Sequence, residues 1–137
     1  MRTKIVLAGL MVLAACQTVP VSTSAPGRPI DLAPYQRGSA ERAESSFSNM
    51  IASRYGAGTP LNRATSDMAA NRFSCATPPR GGRGEPPDRL CRRVVQEAGC
   101  THTWQVMLYD TSGQISRARG GYDRVCSAGD DGLLGGR

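Results

Sequence analysis

Five cysteines, one histidine and a surplus of arginine are the residues through which this 137-residue chain could do chemistry. Cys75, Cys91, Cys100 and Cys126 lie in the body of the sequence, and Cys16 stands alone near its start. Four thiols can form two disulfides, ligate a metal or carry out redox exchange. Structural zinc usually draws its ligands in closely spaced pairs, and redox-active thiols usually sit in a C-x-x-C with a depressed pKa. No C-x-x-C occurs here, and His102 is the only histidine. The four body cysteines are therefore expected to form two disulfides. Three connectivities are open, and the layout favours Cys75–Cys91 and Cys100–Cys126. The first would tie a helix end to the first strand; the second would close the open end of a hairpin. Catalysis finds little support, because one histidine leaves little room for a Ser-His-Asp or Cys-His arrangement. His102 reads as a partly buried strand residue on the Trp104 face. Asp130-Asp131 lacks the spaced oxygen ligands of a calcium loop. The glycines at 81–84 precede prolines and a strand, not the helix N-terminus that a phosphate-binding loop needs. The expectation is a chain without catalysis, cofactor or metal.

Cys16 belongs to a different pattern. Arg2 and Lys4 precede an apolar run from Ile5 to Ala15, interrupted by Gly9. A charged start followed by a short apolar stretch and small residues reads as a secretory signal. The run is shorter than the roughly 20 residues that a helix needs to cross a bilayer. Leu13-Ala14-Ala15-Cys16 resembles the bacterial lipobox. That resemblance implies that residues 1–15 are removed and that Cys16 becomes a lipidated first residue, carrying diacylglycerol or palmitate. Gln17, in place of the Asp that usually signals inner-membrane retention in such proteins, implies the periplasmic face of the outer membrane. Export also places the body cysteines where disulfides persist.

The chain has 17 basic and 11 acidic residues and a formal net charge of +6 at pH 7. Lys4 is its only lysine, so every basic residue after Cys16 is arginine. Codon bias and a solvated surface explain much of that excess. The sharper reading is attraction to phosphate-bearing lipid or lipopolysaccharide, because guanidinium groups bind phosphate bidentately. Arg80, Arg83, Arg92, Arg93, Arg117 and Arg119 are the candidate anion-binding residues. Arg80-Gly81-Gly82-Arg83-Gly84 looks like the pattern of RNA-binding tails, but export separates this chain from nucleic acid.

These residues need elements to hold them. Residues 16–38 read as a lipidated N-terminus and flexible tether, with Pro20, Pro26, Pro29 and Pro34 among Ser, Thr and Gly. A helix is predicted from Ser39 to Tyr55, capped by Ser39, with Ala43, Phe47, Met50, Ile51 and Tyr55 on one stripe. Thr59 is the expected cap of a second helix and Pro60 its first residue. Leu61, Ala64, Thr65, Met68, Ala69 and Phe73 form that helix's apolar face. Residues 76–88 carry four prolines and three glycines and read as a loop. Three strands follow: Arg89 to Gln96, Cys100 to Asp110 and Gln114 to Cys126. Trp104, Val106 and Leu108 alternate with Thr103, Gln105 and Met107, the pattern of a strand covered on one face. Gly120-Gly121 is the expected bulge, and residues 127–137 read as a disordered tail. The body, residues 39–126, is thus expected to be α+β: a two-helix hairpin packed on a small three-stranded antiparallel sheet with two disulfides. Phe47, Phe73, Trp104 and four tyrosines are the only aromatics of the whole chain, so the core is thin and disulfides are welcome staples.

The α-α-β-β-β order resembles that of the small SmpA/OmlA-type lipoproteins, accessory subunits of the outer-membrane β-barrel assembly machine. Gly58-Thr59-Pro60-Leu61 and Tyr109-Asp110-Thr111-Ser112-Gly113-Gln114-Ile115 are its best local echoes. The four body cysteines and the Arg/Gly/Pro loop depart from that family. The resemblance implies a lipid-anchored envelope protein with a structural or accessory role that binds another envelope protein. The alternative is a module that binds anionic lipid or lipopolysaccharide through its arginines. A third is a secreted-side inhibitor or an unrecognised enzyme.

Overall fold

The computed structural model describes residues 25–127. The signal segment, Cys16 and the tail from residue 128, with Asp130-Asp131, lie outside the described residues. Within them run α1 (Ala40–Arg54), α2 (Leu61–Ala70), β1 (Ser74–Ala76), β2 (Arg89–Glu97), β3 (Cys100–Thr111) and β4 (Gln114–Cys126). A 3-10 turn, Ala33–Gln36, precedes α1. The fold is α+β, with two helices and an antiparallel sheet in the order β1-β2-β3-β4.

The sheet therefore has four strands and not three. β1 is only three residues long, too short for alternation to reveal it, and it pairs with β2 in the register Cys75↔Cys91. The Cys75–Cys91 disulfide thus joins two facing strand residues, where a link from a helix end to a strand was expected. Cys100 and Cys126 face each other at the far end of β3 and β4 and are also bonded. Closing loops of these lengths stabilises a chain by about 3 kcal/mol each in the loop-entropy account.

Both tight hairpins turn on a residue pair with positive φ. Ala98 and Gly99 (52° and 77°) join β2 to β3, and Ser112 and Gly113 (54° and 81°) join β3 to β4. Two central residues in that region give the twist that antiparallel strands need. The irregularity in β3/β4 lies at Tyr109/Asp110, not at Gly120-Gly121, which pair in register with Val106 and Gln105. Gly120 serves a close approach instead. A Cβ there would stand 2.6 Å from Phe47 Cδ1 and 2.9 Å from Ser48 Cα. Without a side chain, α1 can lie down on β4, and Ser48 Oγ accepts from the Gly120 N–H at 3.2 Å.

Ser39 caps α1 as expected, accepting from Arg42 N at 3.3 Å. Thr59 does not cap α2. Its hydroxyl donates to Gly56 O, and its backbone meets Ile115 at the start of β4. The link between the helices is thereby pinned to the sheet.

The core lies between the helices and one face of the sheet. Phe47, Ile51, Met68, Trp104, Val106 and Leu108 are fully buried there. Trp104 stacks on Tyr122 at 4.2 Å and meets Phe47 edge-on at 4.8 Å. The expected tether is packed over part of its length. Ile30 and Leu32 are buried in the same core, and Tyr35 meets Phe47 edge-on at 5.9 Å. The packed body thus begins before Ser39, because two apolar side chains among the prolines find core positions.

Candidate functional site

The β3 alternation fixes two faces. Trp104 and its cross-strand partners Arg93 and Tyr122 point toward the helices, while Thr103, Val94 and Asp123 point away. The second face carries Ala76 from β1, Leu90, Arg92 and Val94 from β2, and Thr101, Thr103, Gln105, Met107 and Tyr109 from β3. From β4 come Arg117, Arg119, Asp123 and Val125. Among the described residues no helix covers it. Val94 and Val125, 48% and 62% exposed, are the large apolar side chains left most open to solvent, and both lie on this face.

The six candidate arginines divide between three places. Arg92, Arg117 and Arg119 share the open face, and register puts Arg119 opposite Met107 and Arg92 opposite Gln105. Arg80 and Arg83 are exposed in the 77–88 loop at the same end of the sheet. Arg93 does not join them. It lies on the helix side, half-buried, and donates to Asn71 O at 3.1 Å. Burial, with Arg72 nearby, lowers its pKa.

Arg117 already has a carboxylate. Glu85 of the loop lies 3.5 Å from its Nη2, and the guanidinium rests 4.0 Å above the Tyr109 ring. The loop therefore folds back over the arginine end of the open face. Asp88 helps hold it there, its Oδ2 accepting from Asp110 N at 2.8 Å. Where the loop meets β1 and β2 there is a groove of about 440 Å³, walled by Pro78 and Pro79 and floored by Ala76, Leu90, Arg92 and Val94. The spacing of residues in the sequence could not reveal this groove, which depends on β1.

His102 lies on the expected Trp104 face but is buried where partial burial was expected, with Nδ1 2.7 Å from the Tyr122 hydroxyl. Among the described residues no three His, Cys, Asp or Glu side chains gather as metal ligands. No helix among them is long and apolar enough to cross a membrane.

One polar cluster escaped the sequence reading. Asp67 lies on the buried side of α2, accepting from Arg54 Nε at 2.8 Å, from the Tyr55 hydroxyl, and from Gly27 N at 2.8 Å. Burial alone would raise the Asp67 pKa, but these donors outweigh it and hold the carboxyl below its usual range. Burial pushes the Tyr55 hydroxyl up, and the Asp67 carboxylate pushes it further. Asn71 Oδ1, one turn on, accepts from Ile30 N at 2.7 Å. The cluster clamps residues 27–30 to both helices. An acidic residue between Ala64 and Met68 on an apolar stripe, and an arginine three residues after Ile51, were the signals that could have found it.

Comparison with family models, curated proteins and solved structures finds no match to this chain.

Proposed function

We propose that this chain is a lipid-anchored envelope lipoprotein that acts by docking to another envelope protein through the open face of its sheet. The observation that carries the reading is the one-sided cover of the sheet. The helices and residues 27–37 bury the centre of one face, from His102 to Leu108, while the other keeps exposed valines and three arginines. Contiguous exposed apolar surface rimmed by polar groups marks interaction sites, and here Val94, Leu90 and Ala76 adjoin Pro78 and Pro79 beside Arg92. The anchor rests on the order of Arg2, Lys4, the apolar run and Leu13-Ala14-Ala15-Cys16, and the outer-membrane address rests on Gln17. The accessory role follows the topological resemblance to SmpA/OmlA-type lipoproteins.

The chemistry on display suits binding. The one histidine is turned into the core and held by Tyr122, so its ring is engaged in packing. The buried carboxylate Asp67 is spent on Arg54, Tyr55 and the strap.

Site-specific photo-crosslinking in intact envelopes tests the docking. A photoreactive residue at Thr103, on the open face, should give a discrete higher-mass adduct, and one at Asn49, exposed on α1, should not. Equal adducts from both positions, or from Asn49 alone, would refute it. Metabolic labelling with a tagged palmitate tests the anchor: the natural chain should label, and Cys16→Ser should not.

A further inference from the structure

We infer that the segment docked on the open face is acidic and partly apolar, with carboxylates seated on Arg92, Arg117 and Arg119 and an apolar side chain in the Pro78–Pro79 groove. The inference rests on the docking reading and gives its partner a chemistry. Three observations carry it.

Charge comes first. The arginine end of the face holds Arg92, Arg117 and Arg119, with Arg80 and Arg83 in the loop beside it. The acids that reach it are Glu85, already on Arg117, Asp88, whose Oδ2 already accepts from the Asp110 N–H, and Glu44, whose carboxylate approaches Gly121 from α1. Asp123 lies in the middle of the face, opposite Thr103. The local balance is positive, so a complementary surface is negative.

Geometry comes second. Arg117 and Arg119 are two apart on β4 and so project from the same face about 7 Å apart. Alternate side chains of an extended chain repeat at that same spacing, so carboxylates at positions i and i+2 match them. Arg92 lies two strands away, about 10 Å across the sheet, and it borders the groove. Ala76, Leu90, Val94 and the two prolines offer that groove an apolar lining. A concave apolar seat beside separated cations fits a peptide with mixed side chains better than the plane of lipid headgroups.

The third observation is Glu85 itself. The chain's own carboxylate is seated on Arg117, with the guanidinium supported by the Tyr109 ring. Arg117 is thus within reach of a carboxylate in an exposed, weak pair, and Glu85 competes with an incoming one.

The test is binding of the full chain, in mild detergent, to a short fluorescent peptide of repeated Glu-Glu-Leu at low salt. Repeated Gln-Gln-Leu is the control, and phosphatidylglycerol vesicles form the second arm. The charged peptide should bind and the uncharged one should not. Arg92→Gln with Arg119→Gln should weaken binding about fivefold or more, the product of two exposed pairs. Glu85→Gln should tighten it, and Arg63→Gln, exposed on α2, should leave it unchanged. Equal binding of the two peptides, or indifference to Arg92 and Arg119, overturns the inference. So does vesicle binding governed by these arginines without peptide binding, which would make the face a lipid surface. If the peptide fails while the Thr103 adduct persists in envelopes, the acidic chemistry falls and the docking reading stands. If both fail, both fall.

Discussion

The two faces of one sheet meet opposite surroundings. On the helix side every second residue of β3 from His102 to Leu108 is buried, and Gly120 is stripped of a side chain so that α1 can close down on it. On the other side the intervening residues, Thr101, Thr103, Gln105 and Met107, are half-exposed, and arginines stand on the flanking strands. The backbone is shared, so the difference lies wholly in what each face touches. Stability is concentrated on one side, which leaves the other free to vary its chemistry without unfolding the domain.

That contrast predicts a steep gradient of mutational cost. Phe47→Ala should be among the largest effects, about 3–5 kcal/mol of unfolding free energy from denaturant titration, because it empties the centre of the Trp104 cluster. Asp67→Ala should rival it, since removing one partner of a buried ion pair costs about 3–5 kcal/mol. The Asp67 effect also has a pH signature. Its folded pKa lies below the unfolded value near 4. Its contribution is therefore complete above that value and disappears as pH falls through the lower folded one. The thermal midpoints of the natural chain and Asp67→Asn should differ at neutral pH and converge in acid well below pH 4. A constant difference down to pH 2 would mean that the carboxylate's charge is not what clamps the strap.

Smaller effects follow. Reduction of Cys75–Cys91 removes a bond worth about 3 kcal/mol in the loop-entropy account. Gly120→Ala should cost about 1–3 kcal/mol by overpacking against Phe47 and Ser48, whereas a bulge glycine would tolerate it better. At the end of the scale, Thr103→Ala and Arg119→Gln should stay within about 0.5 kcal/mol. If these open-face changes destabilise as much as Gly120→Ala, the two faces do not divide their work as described.

Much of this division is legible in the sequence. β3 announced itself because Trp104, Val106 and Leu108 alternate with polar residues, and α1 because Ser39 caps a helical apolar stripe. The two disulfides followed from an even number of cysteines without metal-ligand spacing. The parts that could not be read depend on contacts between distant segments. β1 is too short to carry a period. Ile30 and Leu32 look like two stray apolar residues among prolines until α1 and β3 offer them a pocket. Gly120 satisfies either of two readings of a strand glycine, and only the approach of α1 decides between them. Of the six arginines, Arg92, Arg117 and Arg119 could be assigned one face only once the β2–β3 and β3–β4 registers were known, and the β2–β3 register placed Arg93 on the other.

The most direct measurement is on a single full-length variant, Thr103→Glu, which puts a negative charge at the middle of the open face. Its thermal midpoint and its crosslinked adduct in intact envelopes would be read together, with the photoreactive residue at Gln105. The account predicts an unchanged midpoint and a lost adduct, because the face carries docking and not stability. An unchanged adduct, or a domain that no longer folds, would contradict it.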